Sequence, residues 1–157
     1  MTSPDPPVNA RGRATGPEVV VVDQPFTAGD LYSLRAAVVA HASSLGAPPV
    51  QAERLLIVAS ELATNAIRHG GGSGRLRLWR HHTRLHLEVS DHGPGLADPT
   101  VGSKPPGPMA AGGRGMWICR QLADDLHVIN GPAGTTITAT LDLGSPHPHP
   151  DDRDAAT

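Results

Sequence analysis

Glu61 to Gly70 reads E-L-A-T-N-A-I-R-H-G, with an acid and an amide four residues apart inside a run whose apolar residues recur every three or four positions. Leu55, Val58, Leu62 and Ala66 trace that period from beyond Pro48 and Pro49 up to Gly70, Gly71 and Gly72. The pattern predicts an amphipathic helix stopped by glycine. On such a helix positions 61 and 65 lie one turn apart, so the Glu61 carboxylate and the Asn65 amide emerge side by side. Taken alone, the pair is better read as part of a solvated polar face. Two blocks further along the chain reverse that preference.

The first is D-H-G-P-G, Asp91 to Gly95, at the end of a predicted strand. Its glycines, Gly93 and Gly95, allow a close approach that a Cβ would obstruct, so a planar ring can lie against the backbone. The second is G-G-R-G-M-W-I, Gly112 to Ile118. Gly112, Gly113 and Gly115 precede or open a helix, where free N–H groups and the helix dipole attract phosphate oxygens, and Arg114 offers a charge-assisted contact. Mg²⁺ prefers oxygen ligands and keeps several waters, which suits the single side-chain carbonyl of Asn65 together with nucleotide phosphates. A carboxylate beside that metal ligand is placed to take a proton from an attacking hydroxyl, so Glu61 is the general-base candidate. Each block has a plainer reading: an Asp-Gly turn after a strand, or a flexible glycine connection.

In order and spacing, the three blocks resemble the N, G1 and G2 boxes of the GHKL ATPase superfamily, which includes DNA gyrase, histidine kinases and MutL. The wording G-G-R-G-M-W-I-C-R-Q-L-A is most similar to the anti-sigma factor serine/threonine kinases and their actinobacterial relatives. The resemblance covers roughly Glu18 to Leu143. It implies a Bergerat fold, an α/β (α+β) two-layer sandwich with a mixed, mostly antiparallel sheet covered by helices on one face, and the cofactors ATP and Mg²⁺. It also implies that Asp91 accepts a hydrogen bond from the adenine amino group, with Gly93 and Gly95 shaping the pocket. Thr135, in G-T-T-I, would help to hold the base, and Gly113, Arg114 and Gly115 would hold the phosphates. The partners it implies are a STAS-type anti-sigma antagonist, a sigma factor and a second copy of the chain, in a homodimer.

The remaining sequence fits one domain. Val19 to Val22 predict a short buried strand ended by Asp23, Gln24 and Pro25; Thr27 with Asp30 resembles a capping box that opens a helix along Leu31, Leu34, Val38 and Leu45, stopped at Gly46. Arg75 to Arg80 and Arg84 to Ser90 alternate polar and apolar residues, as in a hairpin with one buried face. A helix over 114–123, with Trp117, Ile118 and Leu122 in the core, a strand at Leu126 to Ile129 and another at Thr135 to Leu141 complete it. Residues 97–113 hold no regular pattern and are expected to form a mobile lid. Residues 1–17 and 144–157, rich in Pro and polar residues, are expected to be disordered tails around the domain at 18–143.

Composition narrows the function. The 157-residue chain balances 13 Lys plus Arg against 15 Asp plus Glu, a formal charge of -2 that gives no electrostatic reason to expect nucleic acid. No run of about 18 apolar residues suggests a membrane span, and the sole cysteine, Cys119, fits a reducing cytoplasm and a small buried residue. The nine histidines form no zinc-like pattern. A histidine kinase would need a phosphoacceptor helix pair, for which too few residues precede the first helix. Two function classes therefore remain: a protein kinase of the anti-sigma type, favoured by Glu61, and an ATP-gated binding module without phosphotransfer. Lys104 is the single basic residue between Ala97 and Gly113, which favours the second.

Overall fold

A computed structural model describes residues 19–95 and 114–144. Strand β1 (Val19–Thr27) leads through a turn of 3-10 helix (Ala28–Asp30) into α1 (Leu31–Ser44) and then α2 (Pro49–His69). Strands β2 (Ser73–His81) and β3 (Arg84–Ser90) follow, and after α3 (Arg114–Leu122) the chain ends in β4 (Asp125–Gly131) and β5 (Gly134–Asp142). The expected lid at 97–113 and the tail at 1–17 lie outside the described residues, as does the tail at 144–157 beyond Gly144.

The five strands form one sheet in the order β1-β2-β3-β5-β4. The two-layer α+β arrangement with a mostly antiparallel sheet holds, and among the described residues all four pairings are antiparallel, with no parallel pair of the kind a mixed sheet would add. The reason is local. The crossover from β3 through α3 sets β4 in the same direction as β3, yet the tight turn at 131–134 folds β5 back into the slot between them, so the two like-directed strands never pair.

The helices cover one face. Leu34 and Val38 of α1, Leu55, Val58 and Leu62 of α2, and Met116 and Cys119 of α3 pack with Leu76, Leu78, Leu85, Leu87 and Leu141 of the sheet into a single core. Burying each large aliphatic side chain stabilises the fold by about 1.5–3 kcal/mol. The α1 start follows its capping box, with Asp30 Oδ2 accepting from the Thr27 N–H at 2.8 Å. Its end is left-handed at Gly46 (φ 91°), and the amides of Gly46 and Ala47 return to the carbonyls of Ser43 and Ala42.

Three expectations need correction. β1 runs on through Pro25 to Thr27 as an edge strand, with Val20 exposed and Phe26 buried, because only β2 flanks it and an edge tolerates proline. On α3 the buried face is Met116, Cys119 and Ala123, whereas Trp117 and Ile118 are half-exposed and Leu122 packs at the margin of the core. Trp79 falls on the sheet face opposite the helices but is still only 4% exposed. There the His86 ring stacks on it at 5.2 Å and 17°, and the Arg77 guanidinium lies 5.2 Å from its centroid.

Candidate functional site

Helix α2 positions two of the expected groups. Its inner face is anchored by Leu55, Val58 and Leu62, which leaves Glu61 and Asn65 half-buried along one side. Asn65 borders a small cavity with Leu62, Ala66 and His69 of the same helix, Val89 and Asp91 from β3 and its end, Gly95, and Thr135 and Ile137 of β5. The cavity measures about 20 Å³, room for roughly one water.

Asp91 is held at its centre by both strands. Its amide donates to the Thr135 carbonyl at 2.9 Å, and its Oδ1 accepts from the Gly93 amide at 2.9 Å and the Thr135 amide at 3.3 Å. With Oδ1 so occupied, the carboxylate lies over Gly70, the C-cap of α2. A Cβ at Gly70 would collide with the Asp91 carboxyl, one at Gly93 would come within 2.5 Å of the Gly70 Cα, and one at Gly134 (φ 139°) would strike the Asp91 carbonyl. Glycines from α2, the loop after β3 and the β4–β5 turn thus meet around one carboxylate. Gly95 adopts φ 87° and abuts the Gly131 carbonyl and the Asn130 side chain.

The third block meets the first at α3. Gly115, in the opening turn, lies against Glu61: a Cβ there would stand 2.5 Å from Glu61 Oε2. Arg114, the first residue of α3, is exposed, and Gly113 lies outside the described residues. Asn65, Asp91, Gly95 and Thr135 therefore share one cavity wall, Gly93 backs Asp91, and Glu61 with Gly115 lies one helical turn along α2. Below them Cys119 is fully buried, its Sγ 3.9 Å from the Val58 carbonyl. Burial first, and the Glu61 charge second, push its thiol up to about 12. Such a group is packing, not a nucleophile.

Gly70, Gly134, His69 and Asn130 also belong to this site, although they were not among the expected site residues. Gly70 stood in view as a helix stop. Its second duty, clearing space for Asp91, depends on a contact across 21 positions that no local pattern carries.

The residues fit an adenine nucleotide chemically. A carboxylate fixed by backbone amides suits an amino-group donor, glycines provide the close approach, and the Asn65 side chain can offer Mg²⁺ an oxygen. The 20 Å³ cavity must widen to admit a base ring. A larger concavity of about 740 Å³ lies on the open face of the sheet, around Trp79, His86, Glu88 and Thr138. It shares Asp91 and the β4–β5 turn but reaches neither Glu61 nor Asn65, so size alone does not mark the site. Among the described residues no group of three or more His, Cys, Asp and Glu side chains could hold a metal, and no helix is long and apolar enough to cross a membrane.

Similarity to known proteins follows the same outline. A crystal structure of the RsbU and RsbW domains of a Mycobacterium tuberculosis protein superposes with a TM-score of 0.57 at 20% identity, covering 83% of this chain and 33% of that one. The histidine kinase domain of a blue-light activated histidine kinase from Erythrobacter litoralis gives 0.52 at 25% identity, covering 74% and 64%. One chain of the SiaB-SiaC complex from Pseudomonas aeruginosa gives 0.57 at 9% identity, covering 78% of this chain and 91% of that one. The chain thus spans about a third of the mycobacterial two-domain chain and under two thirds of the light-activated kinase's domain chain. No curated protein matches the sequence. The family profile of the histidine kinase-like ATPase domain matches residues 25–141, from the last residues of β1 into β5, and so takes in all three blocks. The chain belongs to the histidine kinase-like ATPase domain family.

Proposed function

We propose that the protein is an ATP-binding regulatory serine/threonine protein kinase of the anti-sigma type, which phosphorylates a STAS-type antagonist and thereby controls the availability of a sigma factor. The observation that carries this reading is the placement of Glu61 and Asn65 on consecutive turns of α2, with Asp91 and Gly115 brought to that helix from two other segments. Asp91 binds the adenine amino group, Gly93 and Gly95 border the ring, and Thr135 completes the wall. Asn65 holds Mg²⁺, while Gly113, Arg114 and Gly115 attract the phosphates at the start of α3. Bound ATP supplies the phosphoryl group. Glu61 accepts the proton of an incoming serine or threonine hydroxyl, and its contact with Gly115 keeps the base beside the phosphate-binding turn.

The reading is tested with γ-labelled ATP and candidate STAS-domain proteins. Label should pass to a hydroxyl of the antagonist, and Glu61→Gln should lower the rate at least about 100-fold while leaving the ATP affinity within about threefold. Transfer that survives the substitution removes Glu61 from the chemistry. A second reading, an ATP-gated binding module, rests on Lys104 as the single basic residue between Ala97 and Gly113. It predicts no labelled product with any partner and a partner affinity that changes when ATP is added.

A further inference from the structure

The Thr135 hydroxyl already has a partner. Its Oγ1 donates to Asn130 Oδ1 at 3.1 Å, across the register pair that precedes the β4–β5 turn. Both backbone groups of Thr135 are engaged as well, its amide donating to Asp91 Oδ1 and its carbonyl accepting from the Asp91 amide. At 5% exposure the residue has little freedom to turn, and it lines the cavity it shares with Asp91 and Asn65. With its one proton committed to Asn130, the hydroxyl oxygen of this cavity-lining residue keeps its lone pairs as acceptors.

Asn130 also abuts the loop after β3. Its Oδ1 stands 2.8 Å from the place a Cβ would take at Gly95, where the backbone turns left-handed. One exposed side chain on β4 thus both holds the Thr135 hydroxyl and fills the space beside Gly95, two residues that line the same cavity.

We propose that Asn130 is a positioning residue of the nucleotide site, which fixes the Thr135 hydroxyl as a hydrogen-bond acceptor toward the base and seats Gly95 at the pocket rim. The proposal rests on the nucleotide-binding reading. Adenine offers a second amino hydrogen beside the one given to Asp91, and a bridging water offers two more. An oriented acceptor receives either without first reorganising. Freed from Asn130, the hydroxyl rotates, and part of the affinity is lost to ordering it again.

The test is calorimetric titration of Mg²⁺-ATP into the full chain, the single variants Asn130→Ala, Asn130→Asp and Thr135→Val, and a double variant that combines Asn130→Ala with Thr135→Val. Thermal unfolding is the control for folding. Asn130→Ala should weaken ATP about five- to tenfold, Asn130→Asp, which keeps the acceptor oxygen, should restore it to within about twofold, and the double variant should bind no more weakly than the worse single variant. Strictly multiplied losses, or equal losses for Asn130→Ala and Asn130→Asp, would overturn the assignment, as would an unchanged affinity in a folded Asn130→Ala protein. A wild-type chain that binds no ATP overturns the nucleotide reading itself. One that binds ATP normally while Asn130→Ala matches it overturns the role of Asn130 alone.

Discussion

At the scale of single residues, the site depends on what is missing as much as on what is present. Gly70 and Gly134 each clear a volume that the Asp91 carboxyl or its backbone fills, and Gly93 clears the approach of its own loop to Gly70 and the His69 carbonyl. That Asp91, Glu61 and Asn65 belong together in space was legible because a carboxylate, an amide and glycines recur in a known order. The contacts of Asn130 with Thr135 and of Gly70 with Asp91 were not legible, because they join segments that no local pattern links. Cys119 shows the opposite case, a reactive residue type made inert by its place. Its thiol titrates near 12 in the fold against an ordinary value of 9.0, so below pH 9 it is neutral in both folded and unfolded chains. Above pH 9 the unfolded chain releases the proton that the folded chain keeps, and stability falls by up to about 1.4 kcal/mol per pH unit until the folded thiol also ionises. Urea unfolding at pH 8, 9 and 10 should show a steeper alkaline loss for the wild type than for Cys119→Ala. Parallel slopes would mean that the thiol does not carry this dependence.

At the scale of elements, periodicity located α2 and α3 closely, because a helix with one buried face repeats its apolar residues visibly. β1 was read too short. Asp23 and Pro25 are stop signals for a central strand, whereas on an edge they are tolerated and Phe26 beyond them still reaches the core. Trp79 was invisible for a related reason: alternation sends it to the open face, where His86 and Arg77 pack against its ring. The join between the layers has its own fastening. Arg80 of β2 donates from Nη1 to the Leu45 carbonyl at the end of α1, at 2.5 Å, and from Nε to the His82 carbonyl at 2.7 Å. A cation at a helix C-terminus satisfies an orphan carbonyl and opposes the dipole. Arg80→Ala should therefore cost about 1–2 kcal/mol in urea unfolding, with an unchanged denaturant slope. A loss below about 0.3 kcal/mol would leave the α1 end capped by Gly46 alone.

At the scale of the whole molecule, the helical layer and the sheet divide the work. Packing of α2 against β3 and β5 makes a rigid wall, and the three motif blocks converge there because β5 folds back beside β3. The sequence made the class of fold and the family legible, since the order of the blocks carries both. It left the all-antiparallel pairing unread, because strand order depends on which slot a hairpin fills and not on any one segment. The narrow cavity beside Asp91 sets the central question, which is whether adenine enters it. Calorimetric titration of Mg²⁺-ATP into the wild type and Asp91→Asn answers it directly. The account predicts saturable binding to the wild type, weakened at least about tenfold by the substitution, in keeping with the loss of a half-buried carboxylate acceptor. Equal affinities, or a folded wild-type protein that binds no ATP, would contradict it.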